Sequence, residues 1–87
     1  MKLREFDWSA EASATKHGFT REDIESAFAG RTLVSRSKVG VYVLLGKDEE
    51  DHFLEICYRI TDKGKILVFH CMEMRGYQKR RFKKGKK

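Results

Sequence analysis

Five side chains have the chemistry to move a proton or to steady a growing negative charge: Lys16, His17, Glu55, Arg59 and His70. Imidazole is the group whose ordinary pKa, about 6.5, lies closest to neutrality, which makes it the commonest proton shuttle. Lys16-His17-Gly18 closes an early helical stretch. There His17 can bond the last helical carbonyls, or it can join Lys16 in facing a phosphate. His70 falls in the middle of an apolar run, where it can satisfy a buried hydrogen bond or exchange a proton. Glu55 and Arg59 alternate onto one strand face. They read either as a surface ion pair or as a carboxylate base and a phosphate clamp. His17, His52 and His70 have no metal-ligand spacing, and there is no P-loop or dinucleotide glycine pattern. A site here would have to act through His, Lys, Arg and Glu, with no cofactor and no metal expected.

The element that must position these groups is the stretch KILVFHCMEMRGYQKRRFKKGKK, from Lys65 to Lys87. Its first half carries bulk on both faces, as a central strand covered on two sides does. From Arg75 onward there are eight Lys or Arg and no acid. The strand therefore delivers the chain from the core directly into positive charge. Residues 1–74 hold eleven Lys/Arg against thirteen Asp/Glu, a net of −2, while residues 75–87 hold +8. A basic end on a slightly acidic body points to a polyanion, most simply nucleic acid. The candidate contacts are Arg75, Lys79, Arg80, Arg81, Lys83 and Lys84. The plainer reading is a solvated segment, and residues 83–87 in particular read as a flexible basic tail.

The chain of 87 residues fits a single domain. It is 40% hydrophobic and 37% charged. No apolar run approaches the roughly 18 residues of a membrane helix. The first residues, MKLREFDWSAEA, lack a signal-peptide apolar region, so a cytoplasmic protein with no membrane partner is expected. Cys57 and Cys71 are too few for a disulfide scaffold. In a hairpin of residues 53–60 and 65–74 they would nearly face each other, as small packed residues rather than a bond.

The remaining elements follow from periodicity and punctuation. Residues 5–17 predict a first helix, capped by Ser9 and stopped by Gly18. Thr20, with Asp23 three residues on, marks a second helix with an apolar stripe of Ile24, Ala27 and Phe28, ended by Gly30. Residues 32–34 and 41–45 flank a Gly-containing bend, and residues 53–60 and 65–74 are joined by a tight turn at Thr61-Asp62-Lys63-Gly64. Tyr77 to Lys84 predicts a short basic helix. The expected fold is α+β: two N-terminal helices, a four-stranded antiparallel sheet and a C-terminal helix.

Several short motifs together suggest a family. Phe6-Asp7-Trp8 leads a helix ending in Lys16-His17-Gly18, followed by the helix from Thr20 and by Leu44-Leu45-Gly46. This resembles the BrnT toxins of bacterial toxin–antitoxin modules. The final strand and basic helix, with His70, Met72 and Arg75, look like a related branch of small toxin-like proteins. The chain departs from the BrnT pattern at Lys38-Val39-Gly40-Val41, where a Glu-Arg pair is usual, and at Cys71-Met72, where an Arg is usual. The resemblance implies a RelE-like fold, metal-independent RNA cleavage by attack of the 2′-hydroxyl on the adjacent phosphate, and an antitoxin partner. A non-catalytic RNA- or ribosome-binding module and a protein whose basic helix docks an acidic partner are the alternatives.

Overall fold

The structure, a computed structural model, describes residues 5–84. The chain order is β1 (Phe6–Asp7), α1 (Glu11–Ala14), α2 (Arg21–Ala29), β2 (Leu33–Lys38), β3 (Val41–Lys47), β4 (Phe53–Ile60), β5 (Ile66–Glu73) and α3 (Gly76–Lys84). The class is α+β as expected, but the sheet has five strands in the order β1-β5-β4-β3-β2. It is mixed rather than antiparallel, because β1 runs parallel to β5, with Phe6 opposite Ile66 and Asp7 opposite Leu67. The expected helix over 5–17 is thus corrected to a strand followed by a single short helix. Ser9 does not cap it. The Ser9 backbone N–H donates to Asp7 Oδ1 at 2.9 Å, and this bond holds the Asp7 carboxyl below its ordinary value. That turn carries the chain from the strand into α1.

The second helix forms as its sequence dictates. Asp23 N–H donates to Thr20 Oγ1 at 3.1 Å, and Thr20 N–H donates to Asp23 Oδ2 at 2.9 Å, a reciprocal cap. Ile24 and Ala27 are fully buried on the stripe that this cap aligns. Strand β2 runs further than expected, to Lys38, with a bulge between Arg36 and Lys38. The β4–β5 turn closes through Thr61 N–H to Lys65 O at 2.8 Å, with Gly64 at φ 78°, a conformation that suits glycine.

Helices cover the two sheet faces unequally. Under α1 and α2 lies the main core of Ile24, Leu44, Leu54, Ile56, Val68 and Cys71. A run of aromatic contacts, from Trp8 through Phe6, Phe28 and Tyr58 to Tyr42, borders it. On the other face, α3 packs Phe82 with Leu45 and Met74 in a smaller cluster. No described helix is long and apolar enough to cross a membrane.

Gly46 marks the closest approach of helix and sheet. A Cβ there would sit 2.9 Å from the Ala27 carbonyl oxygen. Gly46→Ala should therefore cost about 1–3 kcal/mol by overpacking, read as a lower denaturant midpoint at unchanged m-value. An unchanged midpoint would mean that α2 moves aside freely.

Candidate active site

Strand β5 carries a register shift against β4. Cys57 pairs with His70 but Tyr58 pairs with Val68, so Phe69 is the additional residue. Bulges re-aim side chains, and this one has that effect. Phe69 lies against Arg59 on the face that α3 partly covers, and His70 follows it opposite Cys57 on the same face. The expected meeting of the two cysteines is corrected by the pairing. Cys71 is opposite Ile56 and faces the main core, one position out of step with Cys57. Burial pushes the Cys71 thiol up to about 12, and burial followed by the Glu55 charge also raises that of Cys57.

The segment after α1 brings His17 to the edge of β5. Ser13 Oγ donates to the Phe69 carbonyl at 2.8 Å, tying α1 across that edge. The His17 and His70 rings then meet edge to face, with centroids 5.5 Å apart. Burial, then His17, then Lys16 and Arg75 lower the His70 pKa, while Glu55 opposes them. His70 is accordingly neutral at pH 7, and Lys16, His17, Glu55, His70 and Arg75 share one neighbourhood.

Glu55 is buried, and Arg75 covers it. Arg75 Nη2 donates to Glu55 Oε2 at 2.5 Å, and Arg75 Nε and backbone N–H both lie 3.4 Å from Oε1. Arg75 is half exposed and its carboxylate partner is not, so the arginine serves as a lid on a buried charge. Glu55 therefore pairs with Arg75, just beyond the end of β5, and not along its own strand with Arg59. Arg59 lies instead over Phe69, 5.9 Å from its ring centre.

Helix α3 begins directly after Arg75. Arg80 turns back along it, with Nη1 3.8 Å from the position a Cβ on Gly76 would take. Arg81 Nη1 donates to Gln78 Oε1 at 2.7 Å. Lys79 and Lys83 each place Nζ 5.3 Å from the Phe53 ring centre. Among the described residues, Lys79, Arg80, Lys83 and Lys84 have no acidic partner. Lys83 and Lys84 form the last turn of α3, and the rest of the expected tail, residues 85–87, lies outside the described residues.

A second histidine arrangement was not visible in the sequence. Asp48 is buried in the β3–β4 loop and accepts from the Glu50 and His52 backbone N–H groups, each at 2.9 Å, and meets His52 Nδ1 at 2.8 Å. Burial alone would raise the Asp48 pKa, but these bonds outweigh it and hold the carboxyl low. The bond to Asp48 in turn raises the His52 pKa. An aspartate four residues before a histidine in an acidic loop was the available signal. No family model, curated protein or solved structure matches the chain.

Proposed function

We propose that the protein acts on RNA as a metal-independent endoribonuclease of the toxin-like kind suggested by its resemblance to BrnT. The observation that carries this reading is the edge-to-face pair of His17 and His70, flanked by Lys16 and by the Glu55–Arg75 ion pair. Transesterification of RNA needs one group to take the 2′-hydroxyl proton and another to protonate the leaving 5′-oxygen. His70 is held neutral and suits the first task. His17, exposed on the other side of the pair, suits the second. The 2′-oxygen then bonds to phosphorus, the bond to the 5′-oxygen breaks, and the products end in a 2′,3′-cyclic phosphate and a 5′-hydroxyl. On this reading Lys16, whose charge reaches His70, takes up the charge on the phosphorane. Glu55 keeps Arg75 in place and so acts as a positioning residue.

The test is incubation of RNA with the purified protein in EDTA, with and without ribosomes, and analysis of the 3′ ends. Cyclic phosphate ends are expected, and an intact substrate under both conditions would remove the catalytic reading. The acid-free ridge of α3 favours a second reading, an RNA- or ribosome-binding module without chemistry. On the first reading, the antitoxin implied by the resemblance would neutralise the protein by covering this ridge and the histidine pair.

Both readings require α3 to neutralise phosphates. Replacing Lys83 and Lys84 with Gln should reduce the slope of log affinity against log salt on single-stranded RNA. The expected reduction is about 0.7 for each phosphate that goes without its cation. A slope unchanged by the double substitution would mean that the last turn of α3 is merely solvated.

A further inference from the structure

The face carrying His70 continues away from α3 into a hollow of about 420 Å³ lined by Ser37, Lys38, Val41, Cys57, Arg59 and Phe69. None of these residues takes part in the proton transfers of the histidine pair. The hollow has an apolar floor, one half-buried aromatic ring and two exposed cations at its rim. Its existence depends on both bulges of the sheet. One lies between Arg36 and Lys38 and shapes the rim, and the other presents Phe69 and His70 in succession to the same face.

We propose that this hollow is a nucleobase subsite, in which a base of single-stranded RNA stacks on Phe69 while Arg59 and Lys38 hold the phosphate beside it. The inference rests on the RNA reading of the histidine pair and adds how the strand is gripped there. The chemistry of the lining selects this occupant. An aromatic face accepts any base, and stacking is sequence-tolerant because every base has a π-face. Cations at the rim match a phosphate and oppose a cationic peptide. Arg59 already lies 5.9 Å from the Phe69 ring centre, where a guanidinium can lie beside both ring and phosphate. Because Phe69 directly precedes His70 in the chain, a base stacked on the ring brings its own sugar or its neighbour's to the imidazole. The subsite would then set the register of cleavage along the strand.

The experiment measures binding of a short single-stranded RNA whose 2′-hydroxyls are replaced by 2′-O-methyl groups, so that cleavage plays no part. Parent and Phe69→Leu proteins are each titrated with this oligonucleotide and with a series carrying one abasic position. Phe69→Leu keeps an apolar side chain on the strand and removes the stacking ring. We expect it to weaken binding roughly tenfold, in keeping with the loss of one base–aromatic stack. One abasic position should weaken the parent similarly, and the same position should cost Phe69→Leu almost nothing further. Phe69→Trp, with a larger stacking face, should bind more tightly and show a larger penalty at the same abasic position, and Arg59→Gln should lower the salt slope by about 0.7. Abasic penalties that are the same in parent and Phe69→Leu would overturn the subsite, as would unaltered binding by a folded Phe69→Leu protein. If Phe69→Leu fails to fold, the pairing of the abasic series with Phe69→Trp decides. An abasic penalty that the larger ring leaves unchanged at every position overturns the proposal. Coupled penalties without any cleavage of ordinary RNA would keep the subsite and discard the nuclease. Cleavage with additive penalties would keep the nuclease and discard the subsite.

Discussion

His70→Gln should bind RNA as the parent does and cleave it about 10²–10⁴-fold more slowly, the range general acid–base help supplies. Glutamine keeps approximate size and hydrogen-bonding capacity but cannot exchange a proton near neutrality. The comparison is His17→Gln, which should also slow the reaction if His17 supplies the leaving-group proton. If only His70→Gln is impaired, Lys16 or water takes that role. Burial and the nearby His17 charge lower the His70 pKa, so the base should stay active into mildly acidic solution. The acid limb of kcat/KM should therefore lie below the ordinary imidazole value of about 6.5. The same shift has a signed effect on folding. The unfolded imidazole gains its proton near 6.5 and the folded one only at lower pH. Stability that is fully present above about 6.5 is thus lost as the solution is acidified through the folded value. His70→Gln should remove that part of the acid sensitivity. Equal cleavage by parent and His70→Gln would make His70 a packing residue and end the two-histidine mechanism.

Val68→Asp should leave no folded protein. Val68 is fully buried in β5, opposite Tyr58 of β4 and beneath α1 and α2. An unpaired carboxylate there costs several kcal/mol, comparable with the whole margin of a small domain. Circular dichroism and the loss of a cooperative denaturation transition report the result. Val68→Ala, which leaves a cavity without a charge, should remain folded with a lowered midpoint. A cooperative transition for Val68→Asp would show that β5 can turn this face to water.

The features legible in the sequence were those with a period or a local chemical signature. Thr20 and Asp23 form the reciprocal cap that their spacing suggests, and the two hairpins lie where glycine and polar residues interrupt the apolar runs. Of the two bulky faces of residues 65–74, one lies in the main core through Ile66, Val68 and Cys71, while Leu67, Phe69, His70 and Met72 on the other are only half-buried and Met74 joins the smaller cluster. Strand β1 was not legible because two residues have no measurable period, and its partner lies far along the chain. The alanines at 10, 12 and 14 favour helix, but tertiary pairing of Phe6 with Ile66 takes the preceding residues into the sheet. The bulge at Phe69 leaves no sequence mark; the register set at the turn would pair Cys57 with Phe69, and the bulge puts His70 in that place. Glu55 could be seen as a carboxylate in a strand, but its burial under Arg75, twenty positions away, is a property of the fold.

The parallel pairing of β1 with β5 also sets a timetable. Phe6 waits for a partner about sixty residues later in the chain, and a closure that long carries a larger entropic cost than a hairpin. At a synthesis rate of roughly 5–20 residues per second, several seconds separate the two strands at the ribosome exit. During that interval β2, β3 and β4 can pair as a meander, but β4 presents an unpaired edge and the main core lacks Ile66, Val68 and Cys71. Lys16 and His17 have emerged by then, whereas His70 and Arg75 have not, so no nascent fragment short of β5 holds the assembled site. On the proposed ribonuclease reading the chain would thus be translated in an inactive form, and premature termination would yield a sheet with an unpaired edge instead of a partial enzyme.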